Sequence, residues 1–142
     1  VDQVSMISAV DLLPTFCAIA GVDLPAGYQP DGLDQTEVIQ GKKGGGARTK
    51  PLFWKSIAPW PAQKSKPDHW VSYVVVHKQW KLVTNNDGSY RELYNIIDDP
   101  YEKSDLKEIQ QDEVARLSGL IEEWKKSLPT QPRGKVFSEL RN

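Results

Sequence analysis

His69 and His77 are the two histidines of the chain, and they sit in different contexts. An imidazole titrates near pH 6.5, at about neutrality, so each is a candidate for general acid–base work. His77 closes an apolar run and reads as a packed or sheet-edge residue. His69 lies in a loop-like stretch, 56–69, together with Trp60, Lys64 and Lys66, where it can orient a bound group or donate a proton. Trp54 and Lys55, at the end of the preceding apolar run, complete the set with a ring for stacking and a cation for an anionic group. The alternative for each of them, a side chain that merely faces water, stays open.

Other reactive types read as structural. Cys17 is the single cysteine; it has no partner for an internal disulfide and falls in an apolar segment, where a thiol behaves as a small hydrophobe. The acidic pairs Asp98 with Asp99, and Asp31 with Asp34, suggest a hard-cation site at first sight. Each stands in a turn context, and Ca²⁺ requires six to eight oxygens around it, so we read them as turn and cap residues. The run Gly41, Lys42, Lys43, Gly44, Gly45, Gly46 lacks the Gly-x-x-x-x-Gly-Lys-Ser/Thr spacing of a phosphate loop and reads as a flexible hinge.

Bulk composition narrows the classes. Eighteen basic and nineteen acidic side chains leave a formal net charge of -1 over 142 residues, so no overall field draws the chain to nucleic acid or an anionic membrane. No run reaches the ~20 apolar residues of a membrane span. Five Trp and five Tyr fit either a packed sheet face or a carbohydrate-facing surface, and we take packing first.

The elements that must position these residues follow from periodicity. Pro14 belongs in a first helical turn, which places Asp11 as N-cap of a short apolar helix ended by Gly21. Leu12, Phe16, Ile19 and Ala20 line one side of it, with Val10, Leu13 and Cys17 on the other. That pattern demands packing on more than one face, yet nothing precedes it to pack against. Residues 23–50 are rich in Pro, Gly and polar types and read as a surface connection with one helical turn near residues 37–39. Four β-branched or aromatic runs follow, at 51–55, 70–77, 79–84 and 91–95, broken by a tight hairpin around Lys78 and Gln79 and by a turn at Asn86, Asp87 and Gly88. Val114, Leu117, Leu120, Ile121, Trp124 and Leu128 recur at three- or four-residue spacing, an amphipathic helix over 114–128 that covers one face of the sheet. Arg91, Glu92 and the charges of that helix read as surface groups, with Glu122 and Lys126 spaced for an i,i+4 pair. Residues from 129 onward read as a loosely held tail.

In this order, the residues resemble the C-terminal end of a sulfatase of the alkaline-phosphatase-like superfamily, of the arylsulfatase or N-acetylgalactosamine-6-sulfatase kind. The resemblance rests on Asp11, Leu12, Leu13, Pro14 and Thr15 followed by Ala20, Gly21, Val22, Leu24 and Pro25; on Asp31 and Gly32 ahead of Gly41; and on Arg48 with Pro51, Leu52, Phe53 and Trp54. It continues through Trp80, Lys81 and Leu82 to Glu92, Leu93, Tyr94 and Asn95, then Asp99, Pro100, Tyr101 and Glu102, Leu106 and Trp124.

The resemblance implies a larger sulfuric ester hydrolase. Its main α/β domain would carry a formylglycine nucleophile made within a Cys/Ser-x-Pro-x-Arg motif, a Ca²⁺ ion, and Lys and His residues that hold the sulfate. Cys17 is followed by Ala18, Ile19, Ala20 and Gly21, so it is not that nucleophile, and no catalytic residue or metal ligand is assigned here. The fold expected is α+β: a four-stranded antiparallel sheet packed by a C-terminal helix, with an N-terminal helix and long loop left over from the missing main domain. The divisions expected are 1–46 for the end of that domain, 47–128 for the sheet-and-helix subdomain and 129–142 for the tail. His69, Lys55, Trp60 and Trp54 become candidates for the rim of the substrate cleft. The partners implied are the N-terminal sulfatase domain and a sulfated sugar, and the compartment implied for the parent is secreted, periplasmic or lysosome-like. Alternatives are a stand-alone carbohydrate-binding or interaction module, the tail of a phosphonate or phosphodiester hydrolase, and self-association through the uncovered helix.

Overall fold

The computed structural model describes residues 5–42, 48–56 and 72–129. The expected hinge at 44–46, most of the loop at 56–69 and the tail from 130 lie outside the described residues. A short 3-10 turn, Ala9–Asp11, leads into helix α1 (Leu12–Ala20), and α2 (Thr36–Ile39) is the single helical turn expected in the connection. Strands β1 (Leu52–Lys55), β2 (Tyr73–His77), β3 (Trp80–Thr84) and β4 (Arg91–Asn95) form one antiparallel sheet in chain order, and α3 (Gln111–Ser127) follows. The α+β architecture is the one the sequence predicts.

Register follows from the β2–β3 hairpin, where His77 faces Trp80 and Lys78 takes φ 57° in the turn. From there Val75, Leu82 and Leu93 align across three strands, and their side chains are fully buried. They meet Leu117 and Ile121 of α3, with Tyr73 completing the core. Trp124 extends it, stacking on Phe53 at 4.9 Å between ring centroids and meeting Tyr73 edge-on at 6.3 Å. Helix α3 begins three residues before its apolar periodicity does. Gln111, Asp112 and Glu113 carry no apolar signal, but the two acidic groups suit the positive end of a helix.

The motif from Asn95 to Glu102 proves to be sheet scaffolding. Asp99 accepts the amides of Lys103 and Ser104 at 2.7 and 2.8 Å, closing the turn after β4. Glu102, at φ 54°, reaches Lys81 of β3 at 2.6 Å. Asp105 accepts the amide of Leu93 and the next residue, Leu106, donates to the Leu93 carbonyl, so the outer edge of β4 is covered.

Three expectations are corrected. Asp11 does not cap α1 through its carboxylate: the acceptors turn away from the helix amides toward Ser8, Leu33 and Arg48. Helix α1 is uncovered on its apolar side, as expected of a helix with nothing to pack against: it buries Asp11, Pro14 and Thr15 while Leu13 and Phe16 stand about half exposed, at 48% and 58%. The Gly21 end is as predicted, with Gly21 at φ 66° and the Val22 and Gly21 amides reaching back to the carbonyls of Cys17 and Ala18. On α3 the ion pairs are Glu122 with Lys125 and Glu123 with Lys126, one residue closer than the i,i+4 pairing expected. Glu92 and Lys125 are also more than surface charges: Glu92 accepts from the Tyr90 hydroxyl, and the Lys125 ammonium lies 4.4 Å from the centre of the Tyr73 ring.

Candidate functional site

Two groups of polar side chains stand out, one buried and one lining a cleft. The buried group joins the start of α1 to the connection that follows. Asp11 receives the Ser8 amide at 2.8 Å, the Leu33 amide at 2.7 Å and Nη1 of Arg48 at 2.8 and 2.7 Å. Thr15 donates to the Asp11 carbonyl and accepts from the Gln35 amide. Burial alone would raise the Asp11 pKa, but the two amides and the guanidinium outweigh it, and the carboxyl sits below its ordinary range. Gly32 is obligatory at this crossing: a Cβ there would stand 2.0 Å from the Val10 carbonyl oxygen. This arrangement is a clasp, with every group committed to backbone or to its counterion except Nε and Nη2 of Arg48, which meet no hydrogen-bond partner among the described residues.

The second group surrounds a cleft of about 580 Å³ between the segment before α1, the Gln29–Asp31 stretch and the edge strand β1. Trp54, Lys50, Phe53 and Trp124 line it. Lys50 donates to the Pro30 carbonyl at 3.1 Å, which ties the two walls together.

Of the four rim candidates, Trp54 lines this cleft at 45% exposure. Lys55 is the next residue on the strand, so the alternation of side chains sends it to the other face, where its ammonium lies 5.9 Å from the centre of the Tyr73 ring. Trp60 and His69 lie outside the described residues. His77 is a packed sheet-end group: Nδ1 lies 2.8 Å from Nη1 of Arg116, and burial first, then the Arg116 and Lys78 charges, hold its pKa below the usual value. Sequence reasoning does not pick out Gln29, Asp31 and Lys50 as a group, because only the tertiary crossing at Gly32 brings their segments to the same wall.

For a metal, the acidic pairs behave as turn residues. Asp34 receives both the amide and the hydroxyl of Thr36, and Asp98 accepts from the Asn95 side chain. Among the described residues no three His, Cys, Asp or Glu side chains converge, so those residues offer no shell of the six to eight oxygens that Ca²⁺ takes. No helix among the described residues is long and apolar enough to cross a membrane.

No protein-family model matches the chain, and no curated protein matches it. Solved structures do. Ps i-CgsB, in complex with k-i-k-neocarrahexaose, superposes with a TM-score of 0.62 at 22% identity, over 84% of this chain and 24% of that one. A 6S-sulfatase of a Bacteroides thetaiotaomicron locus for metabolism of multiple glycosaminoglycans gives 0.61 at 19% identity, over 86% and 25%. A 2-O GAG sulfatase gives 0.53 at 22% identity, over 90% and 28%. The chain thus spans about a quarter of the length of the structures it matches, and its fold is shared with that quarter.

Proposed function

We propose that this chain, whose fold is that of a sulfatase C-terminal subdomain, serves a sulfuric ester hydrolase by completing its fold and contributing to the rim of its substrate cleft. The observation that carries the reading is the match of more than four-fifths of the chain to about a quarter of several structures named as sulfatases. The uncovered apolar stripe of α1 supports it. Leu12, Leu13, Phe16 and Ile19 would be covered by the main α/β domain, which would also supply the formylglycine nucleophile, the Ca²⁺ ion and the sulfate-holding cations. On this reading residues 1–46 close that domain, 47–128 form the subdomain and 129–142 are its tail. The chain by itself would hydrolyse nothing.

The substrate class proposed is a sulfated carbohydrate, in keeping with the glycosaminoglycans and the k-i-k-neocarrahexaose named for the similar structures. Trp54, with Trp60 and His69 in the segment beyond it, would meet that sugar by stacking and by charge, while Lys55 points to the other face of β1. The whole protein is expected to release inorganic sulfate from sulfated sugars, and Trp54→Ala and His69→Ala are expected to lower kcat/KM. Unchanged kcat/KM in both variants would remove the rim assignment; no sulfate release from any sulfated sugar would remove the hydrolase reading.

A further inference from the structure

We propose that the cleft beside Trp54 holds an uncharged sugar ring of the carbohydrate chain, a subsite for a unit that does not itself carry the reacting ester; this rests on the hydrolase reading above. The cleft's size of about 580 Å³ lies within the usual range of small-molecule sites, about 300–1,000 Å³, and suits a hexose with part of its neighbour. One wall is the Trp54 indole, left 45% exposed on the edge strand although it is among the largest apolar surfaces in the chain. A flat ring so placed matches the apolar C–H face of a pyranose.

The polar lining argues for a neutral ligand over an anionic one. Lys50 brings one positive charge and Asp31 one negative, so the cleft carries no net field that would select a sulfate. Together with Gln29 they offer donors and acceptors in mixture, as hydroxyl groups require, since each hydroxyl both donates and accepts. The Lys50 ammonium is oriented by its bond to the Pro30 carbonyl, which uses one of its three donors. The site is also built on fixed parts, because the wall carrying Gln29 and Asp31 is pinned next to Val10 by the close crossing at Gly32.

Isothermal titration of the whole protein with an unsulfated, neutral galactan tetrasaccharide tests this. Saturable binding is expected, weakened about tenfold or more by Trp54→Ala and largely restored by Trp54→Phe. Asp31→Asn, which keeps the shape but alters the acceptors, is expected to weaken it less. Equal affinity in wild type and Trp54→Ala, or no binding at millimolar sugar, overturns the proposal. Because the ligand carries no sulfate, the readout is independent of ester hydrolysis: binding without sulfate release from sulfated sugars counts against the hydrolase reading alone, and release without binding counts against the subsite alone.

Discussion

Nη1 of Arg48 lies 2.8 and 2.7 Å from the two carboxylate oxygens of Asp11, across 37 residues of chain, and both side chains are buried. The pair fastens the connection between α1 and β1 onto the start of α1. Removing one partner strands the other charge in a site that water does not reach, which costs more than the pair contributes.

Arg48→Leu is therefore expected to lose about 3–5 kcal/mol in urea denaturation. The pH dependence has a defined sign. A carboxyl whose pKa is depressed on folding contributes stability above its unfolded pKa and loses it as pH falls through the folded value, so wild type should weaken in acid below the ordinary carboxylate range. In Arg48→Leu the folded pKa rises toward the unfolded one, so that acid-dependent loss should shrink. A variant with wild-type midpoint and acid limb would contradict the clasp.

Two glycines should respond in opposite directions to alanine. At Gly32 the new methyl would collide with the Val10 backbone at 2.0 Å, and backbone cannot swing aside, so a loss at or above about 1–3 kcal/mol is expected. Gly119 is exposed inside α3, and a methyl added there would meet nothing within 4 Å, so its replacement should gain about 0.5–1 kcal/mol from the better helix former. Thermal melts of the two variants compare them directly.

His77 predicts a second pH effect, at milder acidity. Its pKa is lowered in the fold, so its contribution is complete above its unfolded value of about 6.5 and is lost as pH falls from there through the folded value. His77→Asn should flatten the stability profile in that window while leaving the region above it unchanged in slope. An identical profile would show that burial and the neighbouring Arg116 and Lys78 charges do not bias its protonation.

The rings of Phe53 and Trp124, parallel within 9°, tie the edge strand to α3. A double-mutant cycle to leucine at both positions should return a coupling of about 0.5–1.5 kcal/mol, and a cycle that sums to zero would show that the stack adds nothing beyond area.

The sheet is legible in the sequence because its signal is local: Val74, Val75 and Val76, then Leu82 and Val83, announce strands by residue type, and Lys78 with Gln79 leaves room only for a tight turn. Helix α3 is legible from Leu117 and Ile121, which recur on one face and do bury there. Asp11 misleads because a carboxylate ahead of Pro14 has a sound local role as a cap, and the competing partner, Arg48, is distant in sequence. The same distance hides the cleft. Trp54 draws notice for its ring, but Gln29, Asp31 and Lys50 have no spacing that marks them, and only the missing Cβ of Gly32 hints that two backbones must nearly touch.

The unequal loops between neighbours in the order β1-β2-β3-β4 lead us to expect a sequence of assembly. Strands β2 and β3 are joined by a two-residue turn and β3 to β4 by a short one, whereas β1 must wait for a far longer loop to close before it finds β2. The last strand to arrive is the one that carries Trp54, so the binding wall is raised only after the rest of the sheet already stands.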